Sequence, residues 1–307
     1  MTDMLATLAS TLRVPTRRQW LLGAAGLLAG PAGALAAEPA PIRVVASFTI
    51  LADLVREVGG PQVQVTSLVG PNGDAHVFEP RPADLKNVAA AELLVLNGLQ
   101  FDRWAERLAR AAEFRGRLLV ASDGIAARRN GLNIDPHVWH DLRLLQTYVA
   151  NIADALAAWR PAAAAEFRRR AADYRQRLAA LDQEIRALLQ AIAAERRRIM
   201  TTHDAFGYLG AAYGIEFLAP QGWSTESEPS AAQVANLIRQ LRAHKVSALF
   251  LENISNPRLI ERIAAEGGVK VGGTLYSDAL SAPGGAVDTL LKLARHNAVT
   301  LAAGMQR

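Results

Sequence analysis

PAAAAEFRRRAADYRQRLAALDQEIRALLQAIAA, residues 161–194, runs through the middle of the chain with no proline after the first position and no glycine at all. Pro161 suits the opening turn of a helix, where its missing N–H has no partner to lose. Phe167, Ala171, Tyr174, Leu178, Leu181, Ile185, Leu188, Leu189 and Ile192 recur at three- and four-residue steps, with arginines between them. That spacing predicts one amphipathic helix, roughly 50 Å long at 1.5 Å per residue. The period lasts only about four heptads, near the lower limit for a coiled coil. A helix packed across two lobes is the better reading.

Strand and helix patterns alternate on both sides of this segment. Upstream, strands are expected at 42–47, 63–69, 93–96 and 118–121, with helices at 50–58, 82–90 and 101–114 and a further helix at 142–159. Downstream, strands are expected at 199–202, 215–218, 246–251 and 269–272, with helices at 206–213, 231–244, 257–266 and 286–303. Such alternation is the mark of parallel sheets covered on both faces. The expected fold is therefore α/β: an N-terminal lobe over 37–160, a long linking helix over 161–194 and a C-terminal lobe over 195–307, without a demonstrable sequence repeat.

The first 36 residues read differently. Arg17 and Arg18 precede a short apolar run at 21–29, and Ala34-Leu35-Ala36 supplies small residues for cleavage. This is the order of a secretory signal, and the run is far shorter than the ~20 apolar residues of a membrane span. The arginine pair also matches a twin-arginine signal, which leaves both export routes open.

Half of the 307 residues are hydrophobic, enough for two lobes with cores of their own. The formal charge is +5, and without the signal segment 31 basic and 28 acidic groups remain. No basic stripe alternates with aromatics, so no nucleic-acid partner is expected. There is no cysteine, which rules out disulfides, thiolate metal sites and a lipidated cysteine in this sequence. A metal would have to be held by histidine and carboxylate.

Three of the six histidines, His76, His137 and His203, stand where an expected strand or loop ends. Asp278 occupies a matching place, and Glu252, at the end of an expected strand, is an alternative carboxylate. Ligands of open α/β sheets gather beyond the carboxyl ends of the strands. Three imidazoles and one carboxylate would complete a tetrahedral zinc shell, leaving no open position for water or substrate. That favours capture over catalysis. His140 is a further candidate, as ligand or as support to one. His244 and His296 are expected at the surface, and Asp204 as the cap of the helix that follows it. Glu226 and Glu228 read as solvated loop residues, and Trp139 and Trp223 as core residues that could also shield a metal.

Five segments in order, GDAHVFEP at 73–80, DPHVW at 135–139, THDAFGY at 202–208, ESEPS at 226–230 and YSDAL at 276–280, make the chain from about Ile42 onward resemble the zinc- and manganese-binding substrate-binding proteins of ABC transporters. The resemblance implies two α/β lobes bridged by a rigid linking helix, a metal site in the cleft between them, and His76, His137, His203 and Asp278 as ligands. It implies a periplasmic, monomeric receptor rather than an enzyme. Its partner would be a membrane permease, with a periplasmic metallochaperone as a further one. Zinc-specific members often carry a histidine-rich loop before the second ligand, whereas 122–135 here has no histidine. Manganese-preferring members tend to have glutamate at the third ligand, where this chain has His203. Zinc is therefore the expected cargo and manganese the alternative. Two other classes compete: an exported zinc hydrolase, which would need an open metal position and a general base such as Glu252, and a surface adhesin, which would need an anchor.

Overall fold

Val44, Val45 and Ala46, and beside them Leu93 to Leu96, are buried at every position. Only the middle of a parallel sheet covered on both faces permits this. The structure, a computed structural model, describes residues 39–306 except 228–229 and 244–245. The expected signal segment, Glu228 and His244 therefore lie outside the described residues.

The first sheet contains β1 (Ile42–Ala46), β2 (Val63–Ser67), β3 (Leu93–Leu96) and β4 (Arg117–Val120), all parallel, in the order β2-β1-β3-β4. Helices α1 (Thr49–Gly59), α2 (Pro82–Ala90) and α3 (Arg103–Ala111) make the crossovers. Helix α3 is shorter than expected at both ends. At its C-terminal end Glu113 adopts φ of 49°, which a right-handed helix excludes. A hairpin of β5 (Arg129–Asn130) and β6 (Asn133–Ile134) follows. Its two-residue strands are too short for alternation to register in a sequence.

Helix α4 (Leu145–Trp159) then leads into α5 (Ala164–Gln190), the expected central helix. Pro161 opens a 3₁₀ turn, Pro161–Ala163, ahead of it. The helix has 27 residues, about 40 Å at 1.5 Å per residue. Neither glycine nor proline ends it. The Arg197 guanidinium donates to the carbonyl of Gln190 at 2.9 Å and to that of Ile192 at 2.7 and 2.9 Å, satisfying groups that a helix terminus leaves free.

The second sheet repeats the plan of the first with β7 (Arg198–Met200), β8 (Glu216–Leu218), β9 (Leu249–Glu252) and β10 (Val271–Leu275), in the order β10-β9-β7-β8, again all parallel. Its helices are α6 (Gly207–Tyr213), α7 (Ala231–Ala243), α8 (Arg258–Gly267) and α9 (Leu290–Gln306). In each sheet the chain steps outward once and then returns to the other side of its first strand. The crevice outside the carboxyl ends at that reversal is where α/β sheets hold ligands.

The buried stripe of α5, Phe167, Ala171, Tyr174, Leu178, Leu181, Ile185 and Leu189, packs against α1 and α4 of the first half and α6 and α9 of the second. One continuous apolar core therefore runs through both halves, from Ile42 to Met305. A smaller cluster around Met200, Leu249, Ile260 and Ile263 lies within the second half.

Asp53 of α1 joins the halves as well. Its carboxylate accepts the N–H of Leu290, the first residue of α9, at 2.8 Å. Burial pushes its pKa up to about 6, opposed by the Leu290 amide and aided by Glu57. A carboxyl that binds its proton more tightly when folded loses stability as pH rises from its unfolded value, near 3.9, to about 6, and no further above that. Asp53→Asn keeps an acceptor for Leu290 without the charge. The variant should be more stable by up to about 3 kcal/mol at pH 7, shrinking toward zero by about pH 4. Urea unfolding at the two pH values measures this, and a pH-independent difference would show that the charge is not the cause.

Candidate metal centre

His76 lies on the loop between β2 and α2. Its backbone N–H is accepted by Asp74 Oδ1 at 2.9 Å, and the carbonyl of Ala75 takes the Trp104 indole N–H at 2.9 Å. His137 follows the hairpin. Asp135 Oδ1 accepts both its backbone N–H, at 3.0 Å, and its ring Nδ1, at 2.9 Å. The proton thus sits on Nδ1 and the Nε2 lone pair faces forward, as metal-binding histidines require. A buried network holds this segment from below. Asn97, at the end of β3, donates to the Pro136 carbonyl at 3.1 Å and accepts from Tyr148 Oη at 2.6 Å. Asp102 in turn accepts from Ser47 Oγ and the Asn97 N–H, each at 2.6 Å. Burial raises the pKa of Asp102 against these hydrogen bonds.

His203 stands just past β7. Glu252, the last residue of β9, accepts its backbone N–H at 2.8 Å through Oε1. Glu252 Oε2 lies 2.6 Å from the ring Nδ1, although the two are not oriented as a hydrogen bond, so that contact is electrostatic. Asp278 follows β10. Its loop is pinned by the Trp139 indole N–H to the Ser277 carbonyl at 2.8 Å, and by the Leu280 N–H to Thr49 Oγ1 at 2.9 Å.

These four residues converge. The three imidazole centroids form a near-equilateral triangle with sides of 5.3, 5.5 and 5.6 Å. Asp278 Oδ2 lies 3.1 Å from His76 Nε2 and 3.4 Å from His203 Nε2, and Oδ1 lies 3.8 Å from His137 Nε2. One ligand atom from each lies within 4.8 Å of every other. A tetrahedral zinc shell with bonds near 2.1 Å sets its donors about 3.4 Å apart. The side chains are 0–5% exposed, and none of the three Nε2 atoms nor either Asp278 oxygen has a hydrogen-bond partner. Buried polar atoms without partners are costly. Five of them aimed at one point fit a bound cation.

The charges suit that arrangement. Burial opposes a charge on Asp278, but His203 and His137 outweigh it and hold the carboxyl well below its usual range. Burial likewise opposes a charge on His203, but Glu252 and Asp278 outweigh it and raise the imidazole well above its ordinary value. In the metal-free protein His203 and Asp278 form an ion pair.

Glu252 is thus outside the quartet, at the back of the His203 ring, and Asp278 is the carboxylate that meets the three imidazoles. His140 is outside it too. Its ring packs on Phe206 at 4.7 Å and lines a small apolar cavity with Ile185, Leu209 and Leu293. Burial, with His137 adding, pushes its pKa down to about 3 and keeps it neutral. Trp139 lies against the His137 ring at 5.2 Å. His296 is half-buried against Tyr276 rather than free at the surface. Asp204 is not the expected cap, because α6 starts at Gly207 and Phe206 takes the cap position. Asp135 carries out a role that sequence reasoning missed, although it stands in the same short segment as His137. Tyr208 secures it by donating to its carbonyl at 3.2 Å.

Residues 44–304 match the family model described as the periplasmic zinc-uptake complex component A. Among characterised relatives, the zinc-binding protein TroA of Treponema pallidum is 32% identical over 89% of this chain and 91% of its own length. The iron-binding protein YfeA of Yersinia pestis is 30% identical over 85% of this chain and 86% of its own. The manganese-binding lipoprotein MntA of Bacillus subtilis is also 30% identical, over 85% and 88%. The solved structure of the Treponema pallidum protein superposes with a TM-score of 0.83, at 30% identity, over 88% of this chain and all of that one. A manganese-bound periplasmic metal-binding protein from Candidatus Liberibacter asiaticus gives 0.78 at 26% identity, over 84% and 97%.

Proposed function

We propose that this chain, which belongs to the periplasmic zinc-uptake component A family, takes one zinc ion as cargo through His76, His137, His203 and Asp278 and hands it to the permease of an ABC importer. Membership of the family makes the chain a metal-binding substrate-binding protein of an ABC transporter, a solute receptor and not an enzyme. The ligand set, the choice of zinc, the removal of 1–36 as an export signal and the partition into lobes at 37–160 and 195–307 are our reading. The observation that carries it is the convergence of five buried, unpartnered donor atoms from four residues.

Three imidazole nitrogens and one carboxylate form a borderline-soft set suited to zinc. His137 is presented in the right tautomer by Asp135, and His203 is backed by Glu252. Asp278 offsets part of the ion's charge. Four donors close a tetrahedral shell and leave no place for a reactive water, which weighs against the hydrolase.

One observation favours manganese: both oxygens of Asp278 face the histidines, and a two-oxygen grip would supply a fifth donor for a harder ion. Affinity measured with free ions does not decide between them, because zinc outranks manganese at nearly any such site. Metal content does. Protein isolated from its own compartment without chelator should carry one zinc per chain by elemental analysis. Manganese in that fraction would overturn the zinc reading, and two tightly held ions would mean that the quartet is not the whole story.

A further inference from the structure

A cation cannot reach side chains that are 0–5% exposed unless something moves. A cavity of about 350 Å³ is lined by Asp74, Thr202, Gln221, Thr225, Asn256 and Arg258 among others, and its lining includes chain neighbours of the quartet. Of these residues Thr202 is buried, while Asn256 and Arg258 are exposed. Thr202 immediately precedes His203, Gln221 pairs with His203 through a parallel bridge, and Asp74 is two residues before His76. Chain neighbours of two of the four proposed ligands therefore line the cavity.

A bond between two residues of this lining joins one half of the molecule to the other. Thr225 Oγ1 donates to Asp74 Oδ2 at 2.6 Å, between residues 151 positions apart in the chain. The other oxygen of the same carboxylate accepts the His76 N–H. The loop that carries His76 is also tied to the second half at Asn72, whose N–H donates to the Leu280 carbonyl at 2.9 Å and whose Oδ1 accepts from Asn253 at 3.0 Å, while Trp139 to Ser277 and Asp53 to Leu290 join the halves deeper in. Thr225 instead stands on the loop between β8 and α7, outside any helix or strand. A short hydroxyl–carboxylate bond is charge-assisted and stronger than a neutral one.

We propose that Thr225 is a positioning residue for metal retention. Its hydroxyl latches Asp74, and through Asp74 the backbone of His76, across the passage by which the cation enters and leaves. The inference rests on the reading of His76 as a ligand. With the bond made, Asp74 has one orientation and His76 is held at the quartet. With it broken, the loop and the carboxylate part, and the passage opens beside the weakened ligand.

Zinc release into excess chelator, followed by stopped flow, tests this with the unaltered chain, Thr225→Val and Thr225→Ser. Loss of one charge-assisted hydrogen bond should speed release by about tenfold or more in Thr225→Val. Thr225→Ser, which keeps the hydroxyl, should stay within about threefold of the unaltered chain, a difference well below the worth of such a bond. In the metal-free proteins the His76 amide should exchange with solvent faster in Thr225→Val than in the other two, a local signature that general loss of stability does not give. Release from Thr225→Val as slow as from the unaltered chain, or serine behaving like valine in either measurement, overturns the latch alone. Failure of the unaltered chain to take up zinc overturns the ligand reading, and the latch with it.

Discussion

Asp278→Ala is expected to weaken zinc binding about a thousandfold, on the scale of 3–5 kcal/mol for removing one partner from a buried charged pair. Asp278 is the only carboxylate in the quartet and lies within 3.8 Å of all three imidazole Nε2 atoms. Without it a dication would be held by three nitrogens, with the carboxylates of Glu252 and Asp135 set behind the His203 and His137 rings at Nδ1. The variant also removes the ion-pair partner of His203, so stability of the metal-free protein should be measured in parallel. Competition against a chromophoric chelator reads the affinity. A loss smaller than about tenfold would remove Asp278 from the ligand set, because no buried ligand of a dication is worth so little.

Zinc should raise the midpoint of thermal unfolding, because only the folded chain assembles the quartet. At free zinc a thousandfold above the dissociation constant, linkage contributes about 4 kcal/mol. For a protein of this size, each kcal/mol moves the midpoint by about 2–4 °C, so a rise of roughly 8–16 °C is expected. Chelator should reverse it, and Asp278→Ala should lose most of it at the same zinc concentration. Coincident midpoints with zinc and with chelator would remove the metal site altogether. The metal-free state has a reason to be the weaker one, since it buries five polar atoms that make no hydrogen bond within the protein.

His76, His137, His203 and Asp278 were legible as candidates because each stands in a short polar segment just past an apolar run, and open α/β sheets place ligands there. Asp135 was in plain view two residues before His137, but no spacing rule says that one carboxylate oxygen will take both a backbone N–H and a ring nitrogen. Glu252 was open to two readings, as ligand or as support. Its position behind Nδ1 rather than in front of Nε2 favours support, and that depends on the strand order β9-β7. His140 misleads by its nearness to His137. The 3₁₀ turn Val138–His140 carries its ring to Phe206 and the cavity beside α5, away from the quartet.

Periodicity, strand–helix alternation and the absence of cysteine are local or compositional properties. By themselves they determined the α/β class, the single central helix and a ligand chemistry confined to imidazole and carboxylate. They could not determine that four side chains drawn from positions 76 to 278 would meet within 4.8 Å, nor which ring nitrogen each histidine would offer. Those facts depend on how α5 packs against both sheets and on hydrogen bonds between residues far apart in the chain, such as Glu252 to the His203 backbone, 49 positions away. Ligand geometry is a matter of tenths of an ångström, whereas sequence pattern specifies only which face of an element is buried. The packed core and its buried polar partners convert the second into the first.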